Sequence, residues 1–248
     1  MRTRKTILTL VCQVFFLSFA LAQTTSYNFH RLTTAEGLSD GTIRGIAQDK
    51  YGYMWIATVT SLNRYDGYSV KTFNYSQKDS SFFPYGYLRC VYSDKNDNLW
   101  LGLNTGLYKY NFRNNHFELQ TGSKDIVILG FAELNKDTLF IATNKGLAVY
   151  LQKYREFKMY ANTINNYSGE LLKKGVYDIC VYQDNKVLLA TDTGLILLDI
   201  KQNLVKHIPL EPLRNGGIRR IAVDSADNVW MTFGYNNEIG RASCRERV

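Results

Sequence analysis

The sequence predicts an all-β fold, because one short segment recurs five times along the 248-residue chain. Its fullest copy, at 94–110, reads DKNDNLWLGLNTGLYKY, and the copies follow one another at intervals of 40 to 48 residues. Each copy is rich in Val, Ile, Leu, Tyr and Trp and is punctuated by Asp, Asn and Gly, which is the composition of short strands joined by tight turns. A period of this length, built from short strands, is typical of the blades of a β-propeller.

The copies align on one apolar anchor position. The anchors are Trp55, Trp100, Phe140, Leu188 and Trp230. Apolar residues lie nine and twelve positions before each anchor, and a small residue lies two positions after it. Because recurring apolar positions indicate core, we interpret the anchors as structural residues that fill the space between blades. The aspartates six positions before three anchors (Asp49, Asp94 and Asp224) are interpreted as caps of the turn before the second strand.

Each copy is expected to form four strands. In the second copy the pattern predicts strands at 88–93, 99–103, 106–110 and 116–119. A single sheet of this kind has two apolar faces, and stacking sheets around an axis buries both of them. We therefore expect four complete blades and part of a fifth. The five lie near 43–75, 88–120, 128–158, 176–208 and 218–237.

The amino terminus is predicted to be a secretory signal peptide, residues 1–22. Arg2, Arg4 and Lys5 precede an apolar run over 7–21, and Ala-Leu-Ala at 20–22 is a cleavage pattern. The run is shorter than the about 20 residues of a transmembrane helix, although an uncleaved anchor is the alternative interpretation. Both interpretations place the propeller, residues 23–237, outside the cytoplasm.

The last residues, 238–248 (EIGRASCRERV), have no place in the repeat, which is lost after Trp230. We expect this tail to be foreign to the fold and the chain to be the amino-terminal fragment of a longer protein.

The net charge of +8 does not indicate a nucleic-acid partner. Most of the excess lies in the signal peptide and in the last ten residues, and no basic run stands out between them. Together with export, this argues against nucleic acid as a ligand.

Cysteine usage is sparse. Cys90 and Cys180 fall on the first strands of blades that are not neighbours, so a disulfide between them is not expected. We predict that both are small buried residues.

The first copy carries a more specific signature. It contains Gly-Leu-Ser at 37–39, Gln-Asp at 48–49, Trp55 and Arg-Tyr-Asp-Gly at 64–67. This resembles the opening of the periplasmic sensor region of hybrid two-component systems of Bacteroidetes, and the later copies resemble the two-component regulator propeller repeat. The likeness covers roughly 27–235. Ser61 in place of the usual glycine, and the loss of tryptophan in the third and fourth copies, depart from the family pattern.

The resemblance implies a larger parent protein. Members of that family carry two consecutive seven-bladed propellers, an immunoglobulin-like domain, a membrane span, a cytoplasmic histidine kinase, a receiver and an AraC-type DNA-binding domain. They sense glycan breakdown products and switch on polysaccharide-utilisation genes. For this chain the resemblance implies a non-catalytic periplasmic sensor that binds an oligosaccharide or another small ligand. Its partner would be the rest of the kinase chain, in a parent that forms a homodimer.

The residues themselves carry no catalytic pattern. His30, His116 and His207 lack the spacing of metal ligands, and the common nucleophile, zinc-protease and phosphate-loop motifs are absent from the sequence. Neither a metal nor a cofactor is expected. The D-x-x-G-x-x-W turn at 49–55 differs by one residue of spacing from the S-x-D-x-G-x-x-W box of sialidases. A secreted propeller enzyme acting on glycans and a protein-interaction scaffold remain alternatives.

Arginines recur eleven positions before the anchor, as Arg44, Arg89 and Arg219. The first strand of a blade lines the central channel, so these guanidinium groups are candidates for binding an anionic or polyhydroxyl ligand in one funnel. The alternative is that they are strand-entry residues paired with turn carboxylates. Tyr85, Tyr87 and Tyr235 are weaker candidates for stacking on sugars.

Overall fold

The computed structural model describes residues 29–59, 61–75, 83–160, 172–209 and 217–234. The chain divides into two compact units, Met1–Leu32 and Thr33–Val248. The described part of the first unit, 29–32, carries no strand or helix, and every strand below belongs to the second unit. The predicted signal peptide and the predicted tail lie outside the described residues. No helix within the described ranges is long and apolar enough to cross a membrane.

The all-β prediction is confirmed, since every regular element of the described ranges longer than one residue is a strand. The first sheet consists of β1 (Gly45–Gln48), β2 (Met54–Ala57), β3 (Ser61–Tyr65) and β4 (Val70–Asn74). The second consists of β5 (Leu88–Ser93), β6 (Leu99–Leu103), β7 (Gly106–Asn111) and β8 (His116–Leu119). The third consists of β9 (Ile128–Asn135), β10 (Thr138–Thr143), β11 (Gly146–Leu151) and β12 (Glu156–Met159). The fourth consists of β13 (Val176–Tyr182), β14 (Lys186–Thr191), β15 (Gly194–Asp199) and β16 (Leu204–Ile208). The fifth consists of β17 (Ile218–Val223) and β18 (Val229–Phe233).

The sheets have the topology of propeller blades. Within each sheet the strands pair antiparallel in chain order. The first strands of consecutive sheets contact one another, β1 with β5, β5 with β9, β9 with β13 and β13 with β17. These first strands are therefore the inner strands of the blades. The strands predicted in the second copy are confirmed, with β7 one residue longer than expected.

The core lies between neighbouring sheets, and each of the first four anchors packs against the sheet that follows it. The ring of Trp55 lies 5.1 Å from that of Tyr110 in the second sheet, and the ring of Trp100 lies 4.8 Å from that of Tyr150 in the third. Leu188 shares a buried cluster with Met231 of the fifth sheet. The first four anchors are buried, whereas Trp230 is 43% exposed. Burial of such rings, at about 25 cal/mol per Å² of apolar surface, is the main force that holds adjacent blades together.

Small residues after the anchors allow the sheets to approach closely, as the sequence predicts. A Cβ atom on Gly102 would lie 2.5 Å from Cys90 Sγ and 2.7 Å from Ile128 Cγ2 of the next sheet. Since atoms do not approach so closely without repulsion, glycine is required where the second and third sheets meet.

The predicted role of the repeated aspartates as turn caps is confirmed. Asp49 Oδ1 accepts hydrogen bonds from the backbone N–H groups of Tyr51 (2.9 Å) and Tyr53 (3.1 Å). Its second oxygen, Oδ2, accepts the indole N–H of Trp55 at 2.7 Å. The same bonds recur around Asp94 and Asp224, with indole distances of 2.7 Å to Trp100 and 3.0 Å to Trp230. One carboxylate thus serves both the turn and the anchor.

The signature of the first copy ties its leading segment to the first sheet. Leu38 is buried, and the backbone N–H of Ser39 donates to Asn63 Oδ1 at 3.1 Å on β3. Asn63 Nδ2 donates back to Ser39 Oγ at 2.9 Å. In the Arg-Tyr-Asp-Gly segment, Asp66 accepts the backbone N–H groups of Tyr68 and Ser69, which lower the pKa of its carboxyl. These residues therefore stabilise local structure.

Both cysteines of the described ranges are unpaired thiols. Cys90 is buried as predicted, and its Sγ lies 3.9 Å from Ile128 O, toward which it donates. The prediction for Cys180 is only partly right, because its residue is intermediate in exposure rather than buried. Burial raises the pKa of each thiol to about 12, so neither is a thiolate nucleophile at neutral pH.

Candidate ligand-binding site at the inner strands

A β-bulge interrupts the inner strand of four sheets at the same repeat position. The register with the second strand shifts between Leu88 and Cys90, between Val176 and Asp178, and between Ile218 and Arg220. The third sheet shifts at the same place. The residues left without a partner in the ladder are Arg89, Leu129, Tyr177 and Arg219.

The first sheet has a related arrangement. Arg44 directly precedes β1 and donates its backbone N–H to Ala57 O at 2.8 Å, while Gly45 is opposite the same Ala57. The position eleven residues before the anchor is therefore special in all five sheets. A bulge bends the strand and redirects the side chain of the extra residue, and such features are frequent at binding sites.

The bulges lie where the connection from the preceding sheet enters the inner strand. At this end the turn between the second and third strands is bonded to that connection. Asn104 N–H donates to Tyr87 O at 3.1 Å, and Tyr87 N–H donates to Asn104 Oδ1 at 2.7 Å. Asn144 and Val127 form the same reciprocal pair in the third sheet. We call the five residues that lie eleven positions before the anchors, with the turns beside them, the inner-strand rim: Arg44, Arg89, Leu129, Tyr177 and Arg219.

The fourth sheet changes this pattern. Asp192 occupies the position of Asn104 and Asn144, and its Oδ2 accepts the phenol O–H of Tyr177 at 2.9 Å. The guanidinium of Arg219, from the next sheet, lies 3.9 Å from the centroid of the Tyr177 ring. Burial and the neighbouring carboxylate raise the pKa of Tyr177, so its hydroxyl remains a hydrogen-bond donor at neutral pH. The Asp192 carboxylate, the Tyr177 ring and the Arg219 guanidinium thus lie next to one another at the rim.

The three predicted arginines differ in their surroundings. Arg44 is exposed, and neither Arg44 nor Arg89 forms an ion pair within the described residues. Arg89 lies on the inner strand with its Nε buried and without a hydrogen-bond partner in the described ranges. A buried guanidinium nitrogen without a partner is costly, at about 1–3 kcal/mol, unless a bound molecule or water satisfies it.

Behind the rim, Asp178 joins two inner strands. Its Oδ2 accepts the backbone N–H of Ile221 on β17 at 3.0 Å, and its Oδ1 accepts the N–H of Ile179 at 3.0 Å. Arg220 Nη1 lies 3.8 Å from Oδ1. Burial is the main cause that raises the pKa of Asp178, against the lowering effect of these donors. The hydrogen bonds of this carboxylate therefore hold β13 against β17.

Leu129, Tyr177 and Asp192 were not predicted from the sequence, because the prediction considered only the recurring arginines and not every residue at that repeat position. Leu129 and Tyr177 could have been predicted from their spacing, since each lies eleven residues before an anchor. The weaker candidates Tyr85 and Tyr87 are 70% and 54% exposed, and Tyr235 lies outside the described residues. The ring of Tyr85 packs edge-on against Tyr75 with centroids 5.1 Å apart.

Histidines and metal-binding side chains do not gather at the rim. His116 lies on β8, and His207 lies on β16, where its Nε2 is 3.1 Å from Thr193 O. Within the described ranges no three His, Cys, Asp or Glu side chains converge in a way that would hold a metal ion.

Comparison with known proteins finds a matching repeat model and a similar curated protein. The family model described as two component regulator propeller matches residues 37–60. The curated protein Histidine kinase P4 of Formosa agariphila is 36% identical over 67 residues, which are 27% of this chain and 5% of that protein.

Solved structures share the fold. One is the extracellular domain of a protein described as the hybrid two component system BT3049 of B. thetaiotaomicron (TM-score 0.69, 23% identity, 84% of this chain and 30% of that chain). A second is the corresponding domain of BT4673 from the same organism (TM-score 0.58, 22% identity, 77% of this chain and 25% of that chain). Virginiamycin B lyase from Staphylococcus aureus is also similar (TM-score 0.59, 13% identity, 79% of this chain and 64% of that chain).

The chain spans 5% of the curated relative and 30% and 25% of the two extracellular domains. At these identities the solved structures establish the fold, which occurs both in extracellular domains of two-component systems and in a lyase. The match over 37–60 adds the repeat type. The recognition made from the sequence is confirmed: the chain carries the two-component regulator propeller repeat and is similar to the extracellular propellers of hybrid two-component systems.

Proposed function

We propose that this chain is a non-catalytic ligand-sensing module of a membrane-bound hybrid sensor histidine kinase. The observation that carries the proposal is the inner-strand rim, where a bulge in successive sheets places Arg89, Tyr177 and Arg219 at one repeat position. Arg89 contributes a buried Nε that has no hydrogen-bond partner among the residues that the structure describes. The resemblance to extracellular sensor domains supports the same function.

The rim is suited to a polyhydroxylated ligand. Guanidinium groups donate hydrogen bonds, Asp192 keeps lone pairs beyond the one that accepts the Tyr177 hydroxyl, and Tyr177 adds an aromatic ring beside these polar groups. Sugars carry both donors and acceptors together with apolar ring faces, so they match this mixture better than a purely anionic or apolar molecule does. The proposed ligand class is an oligosaccharide derived from a glycan.

Signalling would begin with a change in blade packing. The inner strands contact one another, and Asp178 bridges β13 to β17 through the N–H of Ile221 at 3.0 Å. A ligand that binds bulge residues from several sheets favours one relative arrangement of those strands. Such a population shift can pass through the protein to a kinase without any chemistry in the propeller.

The carboxylates of the rim support a binding role over a glycosidase role. A glycosidase needs two carboxyl groups that face a sugar bond across about 5–10 Å. Asp178 is bonded to two backbone N–H groups, and Asp192 is bonded to Tyr177. The likeness to a lyase keeps an enzymatic propeller as the second candidate, and a hydrolysis or elimination product in the binding assay below would favour it.

The remaining parts of the proposal concern the whole protein. Residues 1–22 would direct export, residues 23–237 would form part of a propeller in the periplasm, and residues 238–248 would lie outside the repeat. The partners would be the rest of the kinase chain and a second copy in a homodimer. The output would be control of polysaccharide-utilisation genes.

The proposal is tested by isothermal titration calorimetry of the intact protein with a panel of neutral oligosaccharides. We expect saturable binding, weakened about tenfold or more by Arg89→Met, because a hydrogen bond to a charged group contributes about 1.5–3 kcal/mol. Lys201→Met, on an exposed turn of the fourth sheet, is the matched control and should leave binding unchanged. Thermal melting verifies that each variant is folded. Equal affinity of the Arg89→Met variant, or no binding by any oligosaccharide, would contradict the proposal.

A further inference from the structure

A groove of about 490 Å³ lies at the other end of the sheets from the inner-strand rim. It is lined largely by turns that join first strands to second strands and third strands to fourth strands, in the first three sheets. In an antiparallel sheet those turns lie at the end opposite the turn between the second and third strands. The volume falls in the range of small-molecule sites, about 300–1,000 Å³.

Four cationic side chains line this groove. Lys50 comes from the β1–β2 turn, Lys109 from β7, Arg113 from the β7–β8 turn and Arg155 from the β11–β12 turn. None of the four takes part in an ion pair within the described residues. Three separate sheets therefore bring unpaired positive charge to one cavity. Lysines and arginines that served only to solvate the surface would not need to converge in this way.

Lys109 is the most constrained of these cations. Its residue is half-buried, and its Nζ lies 5.3 Å from the centroid of the Trp100 ring. Burial is the main cause that lowers the pKa of this amine, and Arg155 lowers it further, whereas Asp94 and Glu118 oppose the shift. A bound anion would offset the cost of burying this charge.

The carboxylates of the groove are too few to neutralise it. The lining holds two, Asp97 and Glu118, against four cations. Glu118 Oε1 accepts the side-chain N–H of Asn111 at 2.8 Å, and Asp97 is exposed in the β5–β6 turn. The groove keeps an excess of positive charge.

The walls of the groove are held in place by hydrogen bonds. Tyr110 O–H donates to Asn115 Oδ1 at 2.8 Å, and Tyr150 O–H donates to Gln120 Oε1 at 2.9 Å. The rings of Tyr110 and Phe112 pack edge-on, with centroids 4.9 Å apart. Because these walls are already ordered, they lose little entropy when a ligand is bound.

We propose that this groove is a second binding site, which takes a small polyanion with at least two carboxylate, sulfate or phosphate groups. Arg113 and Arg155 supply planar guanidinium groups that match oxyanions, and Lys109 supplies a half-buried point charge. The site lies apart from the inner-strand rim and does not depend on the function proposed there.

The test is calorimetric titration of the intact protein at fixed ionic strength with pyrophosphate, citrate, a sulfated disaccharide and its unsulfated counterpart. We expect saturable binding of the polyanions and none of the unsulfated sugar at this groove. Lys109→Met keeps the apolar stem and removes the charge, and Arg113→Gln removes an exposed charge without touching the core. Each should weaken polyanion binding by about tenfold or more, while the Lys201→Gln control leaves it unchanged.

The relative affinities identify the source of the anion. Tighter binding of the sulfated disaccharide supports a charged glycan as the ligand, and tighter binding of pyrophosphate supports a phosphate compound. Failure of all polyanions to bind, or equal affinity in the Lys109→Met and Arg113→Gln variants, would overturn the proposal. The Arg89→Met variant tests the binding of neutral oligosaccharides at the rim, and the Lys109→Met and Arg113→Gln variants test the binding of polyanions at the groove. A negative result at one site can therefore be distinguished from a negative result at the other.

Discussion

The first and second sheets differ from the third and fourth in how the anchor is held. In the first pair a buried tryptophan donates its indole N–H to a buried aspartate at 2.7 Å. In the second pair the anchors are Phe140 and Leu188, and the aspartate position holds Leu134 and Tyr182. A buried indole N–H needs an acceptor, whereas phenyl and isobutyl groups need none. Asp and Trp therefore form one unit that is present or absent together.

The turn between the first and second strands is stabilised by other residues in the sheets that lack the aspartate. In the third sheet Asn135, one residue later, accepts the backbone N–H groups of Asp137 (2.9 Å) and Thr138 (3.2 Å). In the fourth sheet Gln183 adopts a left-handed conformation, with φ of 57°. Turn capping is therefore replaceable by local chemistry, and only the indole contact demands a carboxylate at that position.

The largest expected effect comes from Asp94→Ala. Asp94 Oδ2 accepts Trp100 Nε1 (2.7 Å), Asn98 Nδ2 (2.8 Å) and Gln152 Nε2 (2.8 Å), the last from the third sheet. Removing it leaves a buried indole N–H without a partner and uncaps the turn, so we expect a loss of about 3 kcal/mol in the free energy of unfolding.

Urea unfolding followed by tryptophan fluorescence measures this loss. Asp137→Ala, on an exposed turn of the third sheet, is the control and should change stability by less than about 0.5 kcal/mol. Similar urea midpoints for the Asp94→Ala and Asp137→Ala variants would show that the hydrogen bonds of Asp94 contribute little to the free energy of unfolding.

A smaller effect is expected from the coupling between the two members of the unit. Trp100→Phe removes the donor, so Asp94→Ala should cost less in the Trp100→Phe background than in the wild-type protein. We expect a coupling energy of about 1–2 kcal/mol from a double-mutant cycle on unfolding free energies. Strictly additive effects would mean that the indole and the carboxylate stabilise the sheet independently.

The fifth sheet should respond least to loss of its tryptophan. Trp230 is 43% exposed, and its indole N–H lies 3.0 Å from Asp224 Oδ2. Water can replace that bond, so Trp230→Phe should shift the melting temperature less than Trp100→Phe does. Thermal melts of both variants under one buffer make the comparison, and a larger shift for Trp230→Phe would refute it.

Acid should weaken the fifth sheet through Asp224. Hydrogen bonds from Asn228 and Trp230 lower the pKa of this carboxyl to about 2, from 3.8. A carboxyl with a lowered folded-state pKa contributes stability above its unfolded pKa and loses that contribution as the pH falls through the folded value. Between about pH 4 and pH 2, Asp224→Asn should therefore lose less stability than the wild-type protein. Parallel pH profiles of the two proteins would contradict this assignment.

Much of the blade structure could be predicted from the sequence, for reasons visible in the second sheet. The strands around Trp100 follow from short runs rich in Leu, Tyr and Trp that are broken by Asp, Asn and Gly, and the capping role of Asp94 follows from its place before a strand. The bulge at Arg89 could not be predicted, because it depends on the register of two strands. The indole–carboxylate bond joins residues six apart and became visible only in three dimensions.

The candidate sites were less predictable than the fold. Arg44, Arg89 and Arg219 were found by spacing, but Tyr177 and Asp192 were not, since neither matches the arginine pattern. The polyanion groove draws on three sheets, so no local motif contains it. The partial exposure of Cys180 also escaped prediction, because burial depends on how the fourth and fifth sheets pack.

Hydrogen–deuterium exchange of the intact protein, with and without a bound oligosaccharide, shows whether the ligand binds at the inner-strand rim. If the inner-strand rim senses the ligand, peptides that cover β5, β13 and β17 will gain protection on binding, and Arg89→Met will abolish that gain. Protection confined to the outer strands, or to the turns of the polyanion groove, would contradict a ligand site at the inner strands.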